Sequence, residues 1–218
     1  MRYDYNRFLN TLIQTKGLNN SLNMILKYDF IYNSNKIDGS NFTIETLQLL
    51  VENKIVSGTY TLDDVYISFN SFKVMDLVLG CLNIPLTLER LTEWFKALIQ
   101  RTRIGDSGIQ LYNKEVEIEL NELINKYNSI SKQTIKNICE FYLEFDKIHY
   151  FKFYNGKISR FIFLKQLLEN ELPLKYMNGE TAKEYKCALE KSTVDNIEPL
   201  VAYINKQKDF IKENINLF

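Results

Sequence analysis

Apolar residues recur at intervals of three and four along almost the whole chain, which is the spacing of one face of an α-helix. The first such stripe comprises Tyr5, Phe8, Leu9, Leu12 and Ile13. Thr61 and Asp64 form a capping-box pattern that predicts the start of a long helix, and Gly80 predicts its end. Comparable stripes predict further helices that include residues 22–30, 44–51, 65–79, 88–99, 116–127, 135–145, 161–168, 182–189 and 200–211. The helix from residue 22 is predicted to end within residues 32–40.

One segment lacks this helical pattern. Residues 102–112 contain Gly105 and Gly108 on either side of an Asp-Ser pair, and no apolar stripe runs through them. Turn-forming residues without periodicity predict a short β-hairpin or an extended flap. The sequence therefore predicts an all-α fold in a single domain, with this hairpin as its exception.

Composition narrows the class of protein. The chain has 218 residues, 45% of them hydrophobic, which suffices for one well-buried core. The formal net charge is zero, which disfavours nucleic acid or an acidic membrane surface as the partner. Cys81, Cys139 and Cys187 lie far apart in apolar-periodic segments and are interpreted as reduced thiols. Without a signal peptide or a run of about 18 apolar residues, we expect a soluble, cytoplasmic protein without a membrane partner.

The only histidine, His149, ends one predicted helix and lies shortly before another. Between the two helices, Asn155 and Gly156 form a turn in which successive N–H groups are able to face one anion. Lys157 and Arg160, three residues apart, share one face of the next helix. Cations are unfavourable at a helix N-terminus unless an anion is also present. The spacing thus predicts a phosphate-binding loop with His149 as a general base beside it.

This stretch, His149-Tyr150-Phe151-Lys152-Phe153-Tyr154-Asn155-Gly156-Lys157-Ile158-Ser159-Arg160, resembles the core motif of the Fic family, His-x-Phe-x-Asp/Glu-Gly-Asn-Gly-Arg-x-x-Arg. Three departures bear on the chemistry. Phe153 stands at the acidic position, Tyr154 at the first glycine and Lys157 at the first arginine. The resemblance implies a Fic-like helical domain formed by N-terminal helices over residues 1–60, a core over residues 61–175 and C-terminal helices over residues 176–218.

A second stretch, Ser34-Asn35-Lys36-Ile37-Asp38-Gly39, is similar to the inhibitory motif Ser/Thr-x-x-x-Glu-Gly/Asn of Fic proteins with an N-terminal autoinhibitory helix. The resemblance implies that Ser34, Asp38 and Gly39 are the inhibitory residues. It also implies that Asp38 pairs with Arg160 and occupies the site of the γ-phosphate of ATP. The family's target-binding flap falls on residues 103–112, where Arg103, Ile104, Gly105 and Ile109 are the candidates for strand addition to a target protein.

The resemblance implies a protein adenylyltransferase that uses ATP as substrate. His149 is the implied catalytic base, and Asn155, Gly156, Lys157 and Arg160 are the implied phosphate-binding residues. Phe153 offers no metal ligand, so Mg²⁺ is expected to be weakly held and activity to be reduced. The alternative is a catalytically inactive Fic-like protein that binds a nucleotide or a regulatory partner. A third interpretation, a helical scaffold or nucleic-acid-binding protein, is disfavoured.

Simpler interpretations of these residues remain open at this stage. A lone histidine at a helix end is commonly a packed residue, Lys157 is equally well a solvated surface charge, and Asp38-Gly39 is a common turn sequence. The sequence leaves the transferred group, the target protein and assembly into a homo-oligomer undetermined.

Overall fold

A computed structural model describes residues 3–106 and 114–218. Within these ranges the chain forms α-helices joined by short connections. The α-helices are α1 (Tyr5–Gln14), α2 (Leu22–Ile37), α3 (Ile44–Gln48), α4 (Leu62–Gly80), α5 (Leu88–Ile99), α6 (Arg103–Asp106), α7 (Lys114–Asn128), α8 (Ile135–Ile148), α9 (Asn155–Glu169), α10 (Ala182–Lys191), α11 (Glu198–Lys206) and α12 (Phe210–Glu213). A π-helical turn, Leu49–Asn53, continues α3, and 3₁₀ turns occupy Gly179–Thr181 and Ile215–Leu217. The helices predicted from apolar spacing are present, except that the one predicted over residues 200–211 is divided into α11 and α12 by the non-helical residues 207–209.

Side chains at the predicted helix starts explain several of these boundaries. The Thr61 hydroxyl accepts a hydrogen bond from the backbone N–H of Asp64, and the Asp64 carboxylate accepts one from the backbone N–H of Thr61. The same reciprocal bonds link Thr134 with Asn137 at the start of α8. Each pair satisfies two N–H groups that a helix leaves without partners in its first turn.

The core of the fold is built around α9. All its residues except Gly156 and Glu169 are buried, including the polar Lys157, Arg160, Lys165 and Gln166. Helices α4, α5 and α8 pack against it, and α2 reaches it through an aromatic contact between Phe30 and Phe161. Because α9 is enclosed on all sides, the charges on its first turns need partners from neighbouring helices.

The predicted hairpin is not seen in the described residues. Residues 103–106 instead form α6, a single helical turn, and residues 107–113 lie outside the described ranges. Thr102 favours this turn because its hydroxyl accepts from the Gly105 N–H at 3.1 Å and its carbonyl accepts from the Asp106 N–H at 2.9 Å. A Cβ atom at Gly105 would lie 2.2 Å from the Ile99 carbonyl oxygen, so only glycine fits there.

No helix in the described part of the chain is both long and apolar enough to cross a lipid bilayer.

The end of α2 depends on Gly39, which has a φ of +87°. The N–H of Ser40 donates to the Asn35 carbonyl at 3.0 Å, and the N–H of Gly39 donates to the Lys36 carbonyl at 3.1 Å. This pair of bonds is the Schellman motif, in which glycine adopts the left-handed conformation without strain. Asp38 is the last residue before that glycine, so the motif fixes where its carboxylate lies.

We predict that Gly39→Ala lowers the free energy of unfolding by about 1–2 kcal/mol, the cost of a left-handed L-residue. A Cβ atom there meets no other atom within 4 Å, so the loss reflects backbone strain alone. Gly80→Ala is the matched control, because Gly80 also has open space around it but has no positive φ. Urea unfolding of both variants tests this; equal stabilities would contradict the assignment.

Candidate functional site

His149 ends α8 in an unusual backbone conformation. Its φ of 52° and ψ of 42° are left-handed, and its N–H donates to the Phe145 carbonyl at 3.3 Å. The side chain is exposed, unlike those of the next two residues, Tyr150 and Phe151, which are buried. An exposed imidazole at a chain reversal is accessible to a substrate, so the interpretation of His149 as a packed core residue does not hold.

A ring contact and two hydrogen bonds hold the loop after His149 in position. Phe151 stacks on Phe95 of α5 with ring centroids 4.3 Å apart. The Asn155 side chain accepts from the Phe151 N–H at 3.3 Å and donates to the Phe145 carbonyl at 3.5 Å. Asn155 therefore ties the start of α9 to the end of α8 and fixes the shape of the loop.

Tyr154 stands where the motif has its first glycine, and it has a φ of 57°. This is the left-handed region, which an ordinary L-residue enters at a cost of roughly 1–2 kcal/mol. The backbone at this position thus keeps the conformation that a glycine would favour. The Tyr154 carbonyl accepts from the N–H groups of Lys157 and Ile158 at 3.0 and 3.1 Å, which starts α9.

Lys157 and Arg160 face α2 from the first turns of α9, and their residues are only 2% and 3% exposed. Both approach Asp38, the residue that ends α2. Arg160 Nη2 lies 2.7 and 2.6 Å from the two Asp38 carboxylate oxygens, and Lys157 Nζ lies 3.0 Å from Oδ2. The Ser34 hydroxyl accepts from Arg160 Nε at 2.9 Å. The carboxylate of Asp38 thus forms ion pairs with two buried basic side chains.

The charges of this cluster shift one another's titration. Burial by itself would raise the pKa of Asp38, but the adjacent charges of Arg160 and Lys157 outweigh it and hold that pKa below its usual value. Burial lowers the pKa of Lys157, although Asp38 opposes the change. Burial also disfavours charge on Arg160, yet Asp38 and the tyrosines behind it raise its pKa above the ordinary value. Asp38 and Arg160 thus each favour the charged form of the other, whereas burial opposes the charge on Lys157.

Asp38 lies on the solvent side of the cluster. Its side chain is 35% exposed, whereas the side chains of Lys157 and Arg160 are 2% and 4% exposed. A carboxylate in this position screens two cations from water, and an incoming anion would meet it first.

Asn35 belongs to the same cluster, although it was not among the predicted site residues. Its Oδ1 accepts from Lys157 Nζ at 2.8 Å, and its Nδ2 donates to the Ser68 hydroxyl of α4 at 2.9 Å. The cluster is thereby anchored to a third helix. Asn35 and Asp38 are three residues apart. A predicted helix that continues through the motif Ser34–Gly39 places both side chains on one face.

Three further residues near the loop were not among the predicted site residues. Asp146, one helical turn before His149, is partly buried; burial raises its pKa, while the charges of His149 and Arg160 lower it. Tyr142 and Tyr185 share a hydrogen bond of 2.5 Å in the interior beside Arg160. Burial raises the pKa of both phenols.

Phe153, at the motif's acidic position, has an exposed ring that provides no metal ligand. No set of three or more His, Cys, Asp or Glu side chains in residues 3–106 and 114–218 is arranged to hold a metal ion. Mg²⁺ prefers carboxylate and phosphate oxygens. The side chains of this loop thus do not fit a protein-held magnesium ion.

The flap candidates are only partly described. Arg103, Ile104 and Gly105 lie in the α6 turn, and Ile109 lies outside the described residues. Arg103 is held to Asp63 at the start of α4, with its N–H 3.0 Å and its Nε 2.9 Å from the two carboxylate oxygens. Asp63 also lies close enough to Tyr154 to raise the pKa of that phenol, together with burial. This ion pair joins the base of the predicted flap to the vicinity of the motif loop.

Comparison with solved structures defines the class of fold. The chain superimposes on a Fic domain-containing signalling protein from Bacteroides thetaiotaomicron with a TM-score of 0.73 and 18% identity, over 95% of this chain and 92% of that one. Fic-1 (residues 134–508) from C. elegans gives a TM-score of 0.76 and 16% identity, over 98% of this chain and 71% of that one. A Fic family protein from Desulfovibrio desulfuricans G20 gives a TM-score of 0.68 and 17% identity, over 97% of this chain and 73% of that one.

The chain therefore has a Fic fold, as its two motifs indicated. No sequence family model and no curated protein matches the chain. At identities below 20% the structural likeness establishes the fold alone, because one fold hosts many activities.

We predict that Asp38 and Lys157 are energetically coupled. Asp38→Asn leaves two buried cations without a counter-charge and should destabilise the protein by about 1–3 kcal/mol; full removal of a buried partner costs roughly 3–5 kcal/mol, and the partial exposure of Asp38 reduces this. Lys157→Met should recover part of that loss in the double variant. A double-mutant cycle by urea unfolding measures the coupling, expected at about 1 kcal/mol or more.

Lys36 and Glu180 supply the control for this cycle, because they form an exposed ion pair between α2 and the 3₁₀ turn Gly179–Thr181. The cycle of Lys36→Met with Glu180→Gln should show no measurable coupling. Strictly additive effects of Asp38→Asn and Lys157→Met would contradict a shared buried charge cluster.

Proposed function

We propose that this protein is a Fic-like adenylyltransferase of reduced activity, which transfers AMP from ATP to a hydroxyl group of a target protein. One observation carries the proposal. The loop that presents the exposed His149 also begins the helix whose two cations, Lys157 and Arg160, are held by Asp38. A proton acceptor and a masked anion-binding site thus lie at the two ends of one short, fixed loop.

In the proposed reaction, His149 accepts the proton of the target hydroxyl as its oxygen attacks the α-phosphorus of ATP. A phosphoester bond forms to the target, the bond between the α- and β-phosphates breaks, and pyrophosphate leaves. A correctly placed base contributes about 10²–10⁴-fold to such a rate. No step depends on a metal ion held by the protein, because the loop offers no ligand for one.

The phosphates need positive charge to replace their hydration. Two sources are available at the loop: N–H groups in the first turn of α9, of which that of Lys157 already donates to the Tyr154 carbonyl, and the cations Lys157 and Arg160. Arg160 would make its charge-assisted contacts to a phosphate with N–H groups that now donate to Asp38. We infer that displacement of Asp38 precedes productive binding and that this residue is the inhibitory group.

A second candidate function is a catalytically inactive protein that binds ATP or a regulatory partner. Phe153 favours it, since the exposed ring stands where the motif has an acidic side chain. Lys157 also favours it, because an ammonium group does not form the two parallel hydrogen bonds that an arginine guanidinium donates to a phosphate. Both candidates share the masked cation cluster and differ in whether His149 does chemistry.

We predict that His149→Ala abolishes transfer but leaves nucleotide binding intact. Purified protein is incubated with ATP labelled at the α-phosphate, and label on the protein itself or on proteins of a lysate is counted. Labelling by the wild-type chain should be weak and should fall by at least about 100-fold in His149→Ala. The affinity for ATP, measured by calorimetry, should change little, because a general base acts mainly in the transition state.

Lys147→Ala is the matched control, because Lys147 is an exposed residue on the same final turn of α8. It should label as the wild type does. Label that persists in His149→Ala would refute the transferase. ATP binding without any label, in the wild type and in Asp38→Ala alike, would instead establish the inactive nucleotide-binding protein.

A further inference from the structure

A cavity lies between α4, the π-helical turn Leu49–Asn53 and the end of α5. It has a volume of about 310 Å³, and none of the residues 149–160 lines it. Cavities of this size and upward are typical of sites for small molecules. The transfer reaction proposed above makes no use of it.

One wall of the cavity is apolar. Val65 and Phe69 lie four residues apart on α4, so they project from one face of that helix, and both are only partly buried. Val56 lies on the other side with 47% of its surface exposed. The ring of Phe69 offers a flat surface against which an aromatic body is able to stack.

Among the described residues, the charged groups that line the cavity are all basic. They are Lys54, Lys73 and Arg101, and no acidic residue of 3–106 or 114–218 takes part in the lining. Lys54 Nζ donates to the Val51 carbonyl at 2.6 Å and lies 4.8 Å from the centre of the Phe69 ring, and Lys73 Nζ donates to the Gln100 side chain at 3.0 Å. Within residues 3–106 and 114–218, none of these three cations forms an ion pair.

The backbone around the cavity has three irregular features. Lys54 and Arg101 have φ values of 61° and 64°, in the left-handed region that ordinary residues seldom enter. The turn that leads to Lys54 is π-helical, and π-turns are frequent at functional sites. Strained residues persist only where the surrounding structure holds them, and they cluster where a ligand is held. Both left-handed residues carry a cation of the cavity.

From these observations we infer that the cavity binds a small aromatic anion. The flat apolar body of this ligand packs against Phe69, Val65 and Val56. Its carboxylate or phosphate group is bound by Lys73 and Arg101, and Lys54 lies over the ring of Phe69. Charge complementarity selects an anion, because the described part of the lining presents three basic side chains and no acidic one. The inference is independent of the proposed AMP transfer and stands if that proposal fails.

The experiment uses anilinonaphthalene sulfonate, a fluorescent aromatic anion, as the probe. Fluorescence titration of the folded protein should show saturable binding of one probe molecule. Amide resonances that shift in a ¹⁵N spectrum should belong to residues 54–56, 65–73 and 100–101. Lys73→Glu with Arg101→Glu should weaken binding by about 100-fold, which is about tenfold for each charge-assisted hydrogen bond that is removed.

The control is Lys186→Glu with Lys191→Glu, which changes the net charge equally at exposed positions of α10. It should bind the probe as the wild type does. Lys73→Gln with Arg101→Gln is a milder variant that tests the same two cations without reversing charge. Unchanged probe affinity in both cavity variants, or shifted resonances elsewhere, would overturn the inference.

The chemical class of the natural anion is tested by displacement, observed at the same cavity resonances in an Arg160→Ala background. Displacement by AMP identifies a phosphate ligand, and displacement by indole-3-acetate identifies a carboxylate ligand; either result supports the inference. If neither displaces the probe, the cavity binds the dye only and the inference is wrong.

Discussion

One carboxylate at the end of α2 contacts two basic side chains on α9, the most deeply buried helix in the described part of the chain. Lys157 and Arg160 are almost completely buried, and charges in such surroundings cost several kcal/mol each unless they are paired. Asp38 therefore couples the position of α2 to the stability of the helix that begins at the motif loop. The Schellman turn at Gly39 and the bond from Asn35 to Ser68 keep that carboxylate in place.

The same contact links structure to the proposed activity. In the proposed function, Asp38 holds the two cations that a phosphate would need and thereby masks the anion site. His149 lies outside this cluster, exposed at the other end of the loop. Under the proposed function, the base is accessible while Asp38 occupies the phosphate-binding cations, so control would act on substrate binding. The cationic cavity beside α4 includes neither Asp38 nor the two cations that it contacts. We therefore expect the cavity to bind its ligand whether or not Asp38 contacts Lys157 and Arg160.

Much of this architecture could be predicted from the sequence, because it depends on local rules. Apolar spacing located the helices, and Thr61 with Asp64 marked the start of α4. The contact between Asp38 and Arg160 was expected only through resemblance to a family, since no local rule joins residues so far apart in sequence. The burial of Lys157 and its bond to Asn35 arise from how α2 packs on α9. The start of the expected hairpin is helical because the Thr102 side chain and carbonyl satisfy the N–H groups of Gly105 and Asp106. The cavity could not be predicted, because Lys54, Lys73 and Arg101 meet only in the folded chain.

The central claim is that Asp38 competes with phosphate for Lys157 and Arg160. Calorimetric titration of ATP into wild-type protein and into Asp38→Ala, both shown to be folded by circular dichroism, tests it most directly. Removing the competitor should tighten ATP binding by at least about tenfold, equivalent to about 1.4 kcal/mol. Equal or weaker binding by Asp38→Ala would contradict the account.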